Sequence, residues 1–429
     1  MADDNKTTKK SPSDSGGEKK KSSLLVGYVN DRRNILCAVI AVLLAFGIFA
    51  GIRLFMEQTG TKREHITAAF IYNGDESTPY SANFIRAARQ LESAYDEKVD
   101  VVERFNVPYD KADEVIDELA AAGCDIVFTN SDGYGETAKS MAQKYPSIEF
   151  CAATCNNAND SPALANYHNF MGEIYQGRYL SGLAAGAKLG EMIQNGTIDS
   201  SEAVIGFVAA YPCAEVISGY TAFLLGARSQ CPSAVMKVKY IGTWSSYSLE
   251  KRTAEQLIAE GCVIISHDTD TIGSAIACEN AAEAHPVYHV SYNQDMIGVA
   301  PTTALGSCRI EWSPYIISAV EALLDGDPIE KHIDGRINGC DASGGIKEGW
   351  VKLLELNNAT VSDYTKALVE KETEAMAAGK THVFKGSYTG AAYDDPSDTI
   401  DLSTEYFENS VSSAPTFKYV LKDIITVEE

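Results

Sequence analysis

The sequence is short of basic residues for its size. It contains 36 Lys and Arg against 59 Asp and Glu, which gives a net charge of −23 and an isoelectric point of about 4.7. Because the phosphate backbone of nucleic acids attracts basic surfaces, this composition argues against a nucleic-acid-binding protein. Residues 1–33 are the exception, with eight Lys or Arg and five Asp or Glu. We therefore expect a basic head and a strongly acidic body.

The sequence also lacks the short motifs of common catalytic sites. It contains no G-x-S-x-G nucleophile elbow, no G-x-G-x-x-G after the first apolar strand and no G-x-x-x-x-G-K-[ST] phosphate loop. Asp75-Glu76 is followed by Ser-Thr-Pro, which is not the aspartate cluster of a calcium-dependent nucleoside hydrolase. The remaining carboxylates are explained by a solvated acidic surface. We expect a protein that is not an enzyme.

Cysteine and histidine are not spaced for a metal site. Cys151 and Cys155 have no partnering pair nearby, and Cys278, His285 and His289 lie in ordinary helix-to-strand sequence. A chain of 429 residues can bury a sufficient core without a disulfide framework. We expect most of the ten cysteines to be buried small side chains, and we expect no metal and no cofactor.

One long uncharged apolar run stands near the N-terminus. Residues 34–52 are nineteen residues without a charge, enough at about 1.5 Å per helical residue to cross a hydrocarbon layer of about 30 Å. Arg32 and Arg33 precede the run, and basic flanks mark the cytoplasmic side. This predicts a single-pass protein of the cell membrane, with the N-terminus inside and the body on the extracytoplasmic face. A cleaved signal peptide is the alternative, but the exit of the run offers no small-x-small cleavage site.

Beyond the apolar run, β-rich apolar stretches alternate with amphipathic helical patterns in two successive series. Continuous apolar strands spaced by helices are typical of parallel sheets covered on both faces. We predict an α/β fold of two doubly wound parallel-sheet lobes preceded by one transmembrane helix. The predicted parts are a cytoplasmic head (1–33), a transmembrane anchor (34–52), a stalk (53–65), an N-terminal lobe (66–200), a C-terminal lobe (201–305), hinge return segments shared by the lobes (306–384) and an acidic C-terminal extension (385–429).

Loops that follow the predicted strands pair aromatic side chains with carboxylates or amides. Sheets of this kind bind ligands beyond the carboxyl ends of their strands. Aromatic faces can stack on a flat ring, and carboxylates accept hydrogen bonds. A single aromatic after a strand is more often explained by packing or turn chemistry than by ligand contact, but six such loops at the same edges favour a binding site. Asp268 is expected to cap the helix that follows it. The six loops are 75–80, 130–134, 211–215, 243–247, 267–270 and 292–296.

Several sequence blocks closely resemble the basic membrane protein (BMP) family. The strongest are Met171–Lys188, Ile205–Gly219 and Ala222–Ser229, and the resemblance covers about residues 66 to 385. It implies a type I periplasmic-binding fold and the role of an extracytoplasmic substrate-binding protein of an ABC transporter. Characterised members of that family bind purine nucleosides or bases. Further matching blocks are 243–244, 267–271, 291–296, 310–315 and 345–349.

The resemblance also implies roles for individual residues. Trp244 matches an aromatic residue that stacks on the purine in the family. Asn293 and Asp295 match an Asp-x-Asp pair at the end of a strand. Asp270 matches the Asp of a His-Thr-Asp-Ser motif, and Trp312 matches a Trp-Asn-Trp element near the hinge.

Two positions depart from the family pattern. Thr78 stands where the first loop usually has Trp or Phe, so Tyr80 is taken as the second stacking ring. Asn293 replaces a carboxylate, which turns a pure acceptor into a donor and acceptor. The complete set of candidate ligand-binding residues is Tyr80, Asn83, Asp132, Tyr134, Tyr211, Trp244, Asp270, Asn293, Asp295, Trp312 and Lys347.

These expectations predict a membrane-tethered receptor whose two lobes close on a purine nucleoside or base. The ligand then passes to ABC permease and ATPase subunits. One alternative is a ligand-sensing ectodomain of the same fold that signals through a membrane partner, since a head of 33 residues is too short for a signalling domain of its own. A second alternative is hydrolysis of the bound nucleoside.

Overall fold

The structure is a computed structural model that describes residues 62–428, and these residues belong to one compact unit. Its strands are β1 Ile66–Ile71, β2 Val99–Arg104, β3 Ile126–Thr129, β4 Glu149–Ala153, β5 Tyr167–Gly172, β6 Val204–Ala209, β7 Val235–Tyr240, β8 Ile264–His267, β9 Tyr288–Tyr292, β10 Ala304–Ile310, β11 Arg336–Asn338, β12 Asp341–Gly344, β13 Val351–Leu353, β14 Thr389–Ala392, β15 Thr399–Asp401, β16 Tyr419–Leu421 and β17 Ile425–Glu428. Its helices are α1 Pro79–Ala94, α2 Ala112–Ala121, α3 Gly135–Lys144, α4 Tyr175–Gln194, α5 Ala214–Gln230, α6 Tyr247–Ala259, α7 Gly273–Ala281, α8 Ser313–Asp325, α9 Ile329–His332 and α10 Asp363–Ala377.

Two seven-stranded sheets form the centres of two lobes. The N-terminal lobe has the strand order β11-β12-β5-β4-β3-β1-β2, and the C-terminal lobe has the order β13-β10-β9-β8-β6-β7-β17. Within these two sheets, all pairings are parallel except β11 with β12 and β10 with β13. The first five strands of each series therefore have the same doubly wound order. The α/β architecture predicted from the alternating pattern is confirmed.

The chain crosses between the lobes three times. It leaves the N-terminal sheet after β5, returns after β10 with α8 packed on α1, and leaves again between β12 and β13. Backbone hydrogen bonds join the crossing segments, from Glu173 N to Gly344 O at 2.8 Å and from Glu311 N to Trp350 O at 2.8 Å. Three adjacent, bonded crossings are the expected site of a hinge.

The sequence did not identify every element of these sheets. Strand β5 is buried along its whole length although it contains His168 and Asn169. Both side chains have partners, because His168 contacts two glutamates and Asn169 accepts the Ala158 N–H at 2.6 Å. An apolar pattern could not reveal a strand whose buried polar groups find partners elsewhere. The short strands β11 to β17 were not predicted either.

The predicted boundary between residues 200 and 201 assigned helix α4 to the N-terminal lobe, but the structure places this helix in the C-terminal lobe. It packs closely on α5 and also contacts β10, so it belongs to the C-terminal lobe. The predicted head, anchor and most of the stalk lie outside the described residues. The nine cysteines in the described part are unpaired, and seven of them are buried.

The predicted location, a single-pass protein of the cell membrane, has to be corrected. Among residues 62–428, no helix combines the length and the apolar character that a membrane span requires. The longest of these helices, α4, has 20 residues but carries Arg178, Lys188 and Glu191. The segment 34–52 that suggested the anchor is not among the described residues.

Glycines allow α4 and α5 to pack at backbone distance. A Cβ atom on Gly182 would overlap the carbonyl group of Phe223, and one on Gly226 would overlap the carbonyl of Tyr179. Gly190, on the same helix α4, has open space around the position of its missing Cβ. The two helices are therefore held together by contacts that only glycine permits at these positions.

We predict that Gly182→Ala lowers the free energy of unfolding by about 1 to 3 kcal/mol or more, because the added methyl group pushes against backbone that cannot rotate away. Gly190→Ala serves as the matched control. It should raise the free energy of unfolding by about 0.5 to 1 kcal/mol, as expected for removing a glycine from a helix interior. Urea denaturation of both variants measures the difference, and equal effects would contradict the close packing.

Candidate functional site

Both sheets place their loops so that ligand-binding side chains meet between the lobes. In each sheet the strand order reverses next to the first strand of the series, between β1 and β3 and between β6 and β8. Ligands of doubly wound sheets bind at such switch points, beyond the carboxyl ends of the strands. The loops after these four strands should therefore line one cleft.

A cavity of about 60 Å³ occupies this position. It is smaller than the about 300 to 1,000 Å³ of typical small-molecule sites, so a ligand would need the lobes to stand further apart. The residues that line it come from both lobes, so a ligand there would contact each of them. They are Asn73, Tyr80, Ser131, Asp132 and Thr154 from the N-terminal lobe, and Glu215, Trp244, Asp268, Asp270, Tyr292 and Asn293 from the C-terminal lobe.

The N-terminal wall is fixed by Asn130 at the end of β3. Its side chain accepts the Asn73 N–H at 3.0 Å and donates to the Asn73 side-chain oxygen at 3.1 Å. The Asn130 carbonyl accepts the Tyr80 hydroxyl at 2.5 Å. The ring of Tyr80 also meets Trp312 edge-on, with centroids 6.2 Å apart. Tyr80 is therefore held at both ends while it faces the cavity.

The C-terminal wall depends on a buried carboxylate outside the cavity. Glu250, in α6, accepts hydrogen bonds from the Thr269 hydroxyl at 2.7 Å, the Thr271 hydroxyl at 2.5 Å and the Ser274 N–H at 2.8 Å. These bonds fix the loop that carries Asp268 and Asp270, and they cap the start of α7. The expected capping role of Asp268 is therefore wrong. Its carboxylate instead accepts the Ala210 N–H at 2.9 Å.

One buried cation lies behind this wall. Arg178, in α4, is 2% exposed and donates to the His267 carbonyl at 2.8 Å. Its guanidinium carbon lies 3.8 Å from the centroid of the Tyr292 ring, a cation–π contact. Its charge also lowers the pKa values of Glu215 and Asp268 against the effect of burial. Arg178 thus positions the ring and offsets part of the acidic charge.

The cavity is strongly acidic. Burial, together with the carboxylates of Asp268 and Asp132, raises the pKa of Glu215 to about 7, and burial raises that of Asp268 to about 7. Burial and the carboxylates of Asp268 and Glu215 also raise the pKa of Asp270. Asp132 faces the same space from the opposite lobe. Such a site favours ligands that are rich in N–H and O–H donors and disfavours anions.

Two residues that line the cavity adopt left-handed backbone conformations. Thr154 has φ of 62° and Asn293 has φ of 63°. A β-branched residue such as threonine is rarely found in this region. Residues held in such conformations are concentrated at ligand and active sites. This strain gives an indication of function that does not depend on side-chain chemistry.

The lobes also touch directly beside the cavity. The side-chain amide of Asn83, on α1, donates to the Asn293 carbonyl at 3.1 Å. Arg86, one turn further along α1, forms an ion pair with Glu311 at 3.2 Å, at the second crossing. A ligand in the cavity therefore lies between surfaces that already meet.

The structure brings together five of the eleven candidate residues. Tyr80, Asp132, Trp244, Asp270 and Asn293 all line the cavity. Their roles as ligand contacts stay predictions.

The other six candidates lie outside the cavity lining. Asn83 joins the two lobes, and the side chain of Tyr134 is buried with its hydroxyl on the Val107 carbonyl at 2.6 Å. Trp312 is 1% exposed and stacks on Phe84.

The remaining three of those six are at least partly exposed. Tyr211 contacts Trp244 edge-on at 5.7 Å, and Asp295 accepts the Ile297 N–H at 2.8 Å. Lys347 pairs with Glu348 at 3.3 Å.

Several residues that line the cavity were missed although they lie in or next to the loops identified from the sequence. Glu215 was passed over for Tyr211 in the same loop, and Tyr292 for its neighbours. Since α5 starts at Ala214, the first helical turn carries Glu215 to the cavity. Asn73 lies next to the identified loop 75–80, whereas Thr154 follows β4 in a loop that was not identified from the sequence.

Three possible metal ligands also meet, at the opposite end of the N-terminal sheet. Atoms of His168, Glu330 and Cys340 lie within 4.8 Å of one another. Both ring nitrogens of His168 already contact carboxylates, Glu330 at 2.6 Å and Glu149 at 3.0 Å. Burial acts to lower the pKa of His168, but hydrogen bonds with Cys340, Glu149 and Glu330 raise it well above its ordinary value. The geometry is that of a buried imidazolium between two glutamates, which needs no metal to be satisfied.

Comparison with known proteins identifies a matching family and several relatives. Residues 67–380 match the family described as PnrA-like ABC transporter substrate-binding proteins, or Bmp. A purine-binding protein of Brucella abortus is 30% identical over 75% of this chain and 84% of its own length. A putative ABC transporter glucose-binding protein of Haloferax volcanii is 28% identical over 76% of this chain and 75% of its own.

Solved structures share the fold. A solute-binding protein of an ABC transporter system from Conexibacter woesei matches with a TM-score of 0.56 and 20% identity, covering 74% of this chain and 97% of that chain. At this identity the likeness concerns the fold alone.

We predict that Trp244→Ala leaves the free energy of unfolding of the ligand-free protein nearly unchanged, because this half-buried ring faces the cavity. Trp312→Ala is the contrasting variant. It should lose about 3 to 5 kcal/mol, since it removes a fully buried indole from the core. Urea denaturation without ligand measures both, and a large loss for Trp244→Ala would make that ring a core residue.

We also predict a pH-dependent gain in stability for Asp268→Asn. The native pKa of Asp268 is about 7, whereas that of an unfolded aspartate is about 3.9. Between about pH 4 and pH 7, the native state therefore keeps a proton on Asp268 that the unfolded chain has released. The free energy of unfolding falls as pH rises through this range. Asparagine cannot ionise, so the variant should be more stable by on the order of 2 kcal/mol at pH 8 and by much less at pH 5.

The matched control is Asp401→Asn, at an exposed carboxylate whose pKa is lowered by hydrogen bonds from Ser403. This change should give no gain at pH 8. Urea titrations at the two pH values measure both variants. A gain for Asp268→Asn that is equal at pH 5 and pH 8 would contradict the raised pKa.

Proposed function

The chain belongs to the family of PnrA-like ABC transporter substrate-binding proteins, and we propose that the ligand it carries is a purine nucleoside or a purine base. Proteins of this kind bind a solute and work with a permease and an ATPase. The binding site in this proposal is the cavity between the lobes, and the ligand is delivered without chemical change.

The observation that carries the proposal is the combination of aromatic and acidic side chains in one cavity. Trp244 and Tyr80 approach from opposite lobes, which suits a flat ring held between them. Asp268 and Asp270 supply acceptors for ring N–H, amino or ribose hydroxyl groups. The purine-binding relative from Brucella abortus supports the same ligand class.

Closure of the lobes explains how binding is signalled to the transporter. A ligand that contacts both walls stabilises the arrangement in which the lobes meet, by the difference in its affinity for the two states. The three bonded crossings allow such a hinge motion. The permease then has a surface to recognise that exists only when the lobes are together.

A sugar is the second candidate ligand, and one specific observation favours it. The relative from Haloferax volcanii is named as a putative glucose-binding protein. Sugar hydroxyls would also find acceptors among the carboxylates. The sensing ectodomain and the nucleoside hydrolase considered from the sequence gain no support from residues 62–428.

We predict that adenosine, guanosine, inosine or one of their bases raises the melting temperature, and D-glucose does not. A ligand at 100 times its dissociation constant adds about 2.7 kcal/mol to the free energy of unfolding. The 5′-monophosphate of the best nucleoside is the matched control. It should bind far more weakly, because its phosphate enters a cavity lined by four carboxylates. A shift with glucose alone would replace the purine by a sugar.

We further predict that Trp244→Ala weakens binding of that purine by about 1 to 3 kcal/mol, the usual contribution of an aromatic ring stacked on a base. Trp244→Phe should retain most of the affinity, since it keeps a flat ring. Isothermal titration calorimetry measures both, and chromatography of the incubated ligand checks that no free base appears. Equal affinity of wild type and Trp244→Ala would place the purine elsewhere.

A further inference from the structure

The C-terminal extension, residues 385–428 of the described chain, lies beyond the family match, which ends at residue 380. It forms a small antiparallel sheet of order β15-β14-β16 and then adds β17 to the edge of the C-terminal lobe. Strand β17 pairs in parallel with β7, from Ile425 opposite Met236 to Glu428 opposite Lys239. The extension is thus an ordered part of the molecule.

Most of the extension is attached to the C-terminal lobe. Phe417 and Leu421 are fully buried in the same core as α4 and α5. Glu408 is 2% exposed and accepts the Ser218 hydroxyl of α5 at 2.9 Å and the Phe417 N–H at 3.1 Å. When the lobes move apart, these contacts make the extension move with the C-terminal lobe.

The tip of the extension, which we define as residues 409–414, reaches the other lobe. The Ser413 N–H donates to both carboxylate oxygens of Asp341 at 3.1 Å, and Asp341 is 3% exposed at the start of β12. The side chain of Asn338, at the end of β11, donates to the Val411 carbonyl at 2.6 Å. The Ser413 hydroxyl donates to the Cys155 carbonyl at 3.4 Å.

These contacts lie beside the ligand cavity. Cys155 directly follows Thr154, which lines the cavity in the N-terminal lobe. Ser218 lies one helical turn after Glu215, which lines the cavity in the C-terminal lobe. The extension therefore joins the two lobes along one flank of the cleft, outside the hinge crossings themselves.

We propose that the tip is a latch: its contacts with Asp341, Asn338 and Cys155 form when the lobes are together, stabilise that arrangement and slow the release of ligand. The inference rests on the proposed function only in requiring that the lobes separate, and it does not depend on which solute is bound. Because the tip is anchored in the C-terminal lobe, opening must break the hydrogen bonds to the N-terminal lobe. Each bond that is lost on opening favours the closed form by several-fold.

The test uses Asn338→Ala, Asp341→Asn and the double variant in the full chain. Asn338 is an exposed side chain, so its removal should leave the fold intact. Asp341→Asn keeps the shape of the side chain and one of its acceptor oxygens. The controls are Asn358→Ala and Asp401→Asn, the same changes at exposed positions whose recorded side-chain partners lie outside the tip. Circular dichroism establishes that each variant is folded.

The first measurement needs no ligand. Small-angle X-ray scattering of the double variant should give a larger radius of gyration than the wild type and the controls, because the open form gains population. The second measurement is the dissociation rate of the bound solute, followed by tryptophan fluorescence. We expect release about three- to tenfold faster for Asn338→Ala and faster still for the double variant.

The outcomes separate this inference from the proposed function. If no purine or sugar binds, the ligand assignment fails, but the scattering comparison still tests the latch. If the folded variants match the wild type in scattering, or if ligand is released no faster, the tip only covers the surface and the latch is wrong. Should Asp341→Asn fail to fold, Asn338→Ala against Asn358→Ala decides the question alone.

Discussion

The cavity between the lobes depends on keeping several carboxylates close together in a space largely shielded from water. Glu215, Asp268 and Asp270 come from two different loops, and burial disfavours their charged forms. Arg178 offsets part of this cost from behind the wall, and its contacts with the His267 carbonyl and the Tyr292 ring fix it there. Without a buried cation in this place, the carboxylates would be driven towards their neutral forms and would lose much of their strength as acceptors.

The same arginine links the site to the packing of the lobe. It projects from α4, the helix whose glycines allow contact with α5 at backbone distance. Because α5 in turn carries Glu215 in its first turn, the close approach of the two helices sets the distance between the cation and one of the carboxylates. The glycine-rich block around Arg178 therefore has two connected roles: it packs the helices and it positions charge.

The sequence predicted the fold well where strands are apolar and poorly where they are not. Strands β3 and β6 are almost uninterrupted apolar runs, which is the pattern that predicted buried parallel strands. Strand β5 was missed because His168 and Asn169 are satisfied by groups distant in sequence. The added strand β17 was missed because four residues at an edge carry too little pattern.

The site was predictable to the level of loops, and only partly to the level of residues. Strand ends indicated every loop that reaches the cavity except that of Thr154, but aromatic residues were preferred over their neighbours. Tyr211 is 40% exposed, whereas Glu215, four residues later, faces the ligand space. Which side chain of a loop points inward depends on where the next helix begins, and periodicity locates such boundaries only to within a few residues.

A cavity whose buried carboxylates destabilise the ligand-free protein suits a transport receptor. Because they are buried with few hydrogen-bond donors around them, the carboxylates lower the stability of the ligand-free protein at neutral pH. A solute that brings N–H and O–H donors supplies hydrogen-bond partners for these carboxylates. Binding therefore recovers part of the free energy that burying them costs the ligand-free protein. This difference is the free energy available to hold the lobes together. Because it disappears when the ligand leaves, the same carboxylates that favour binding also allow the lobes to reopen once the solute has been handed on.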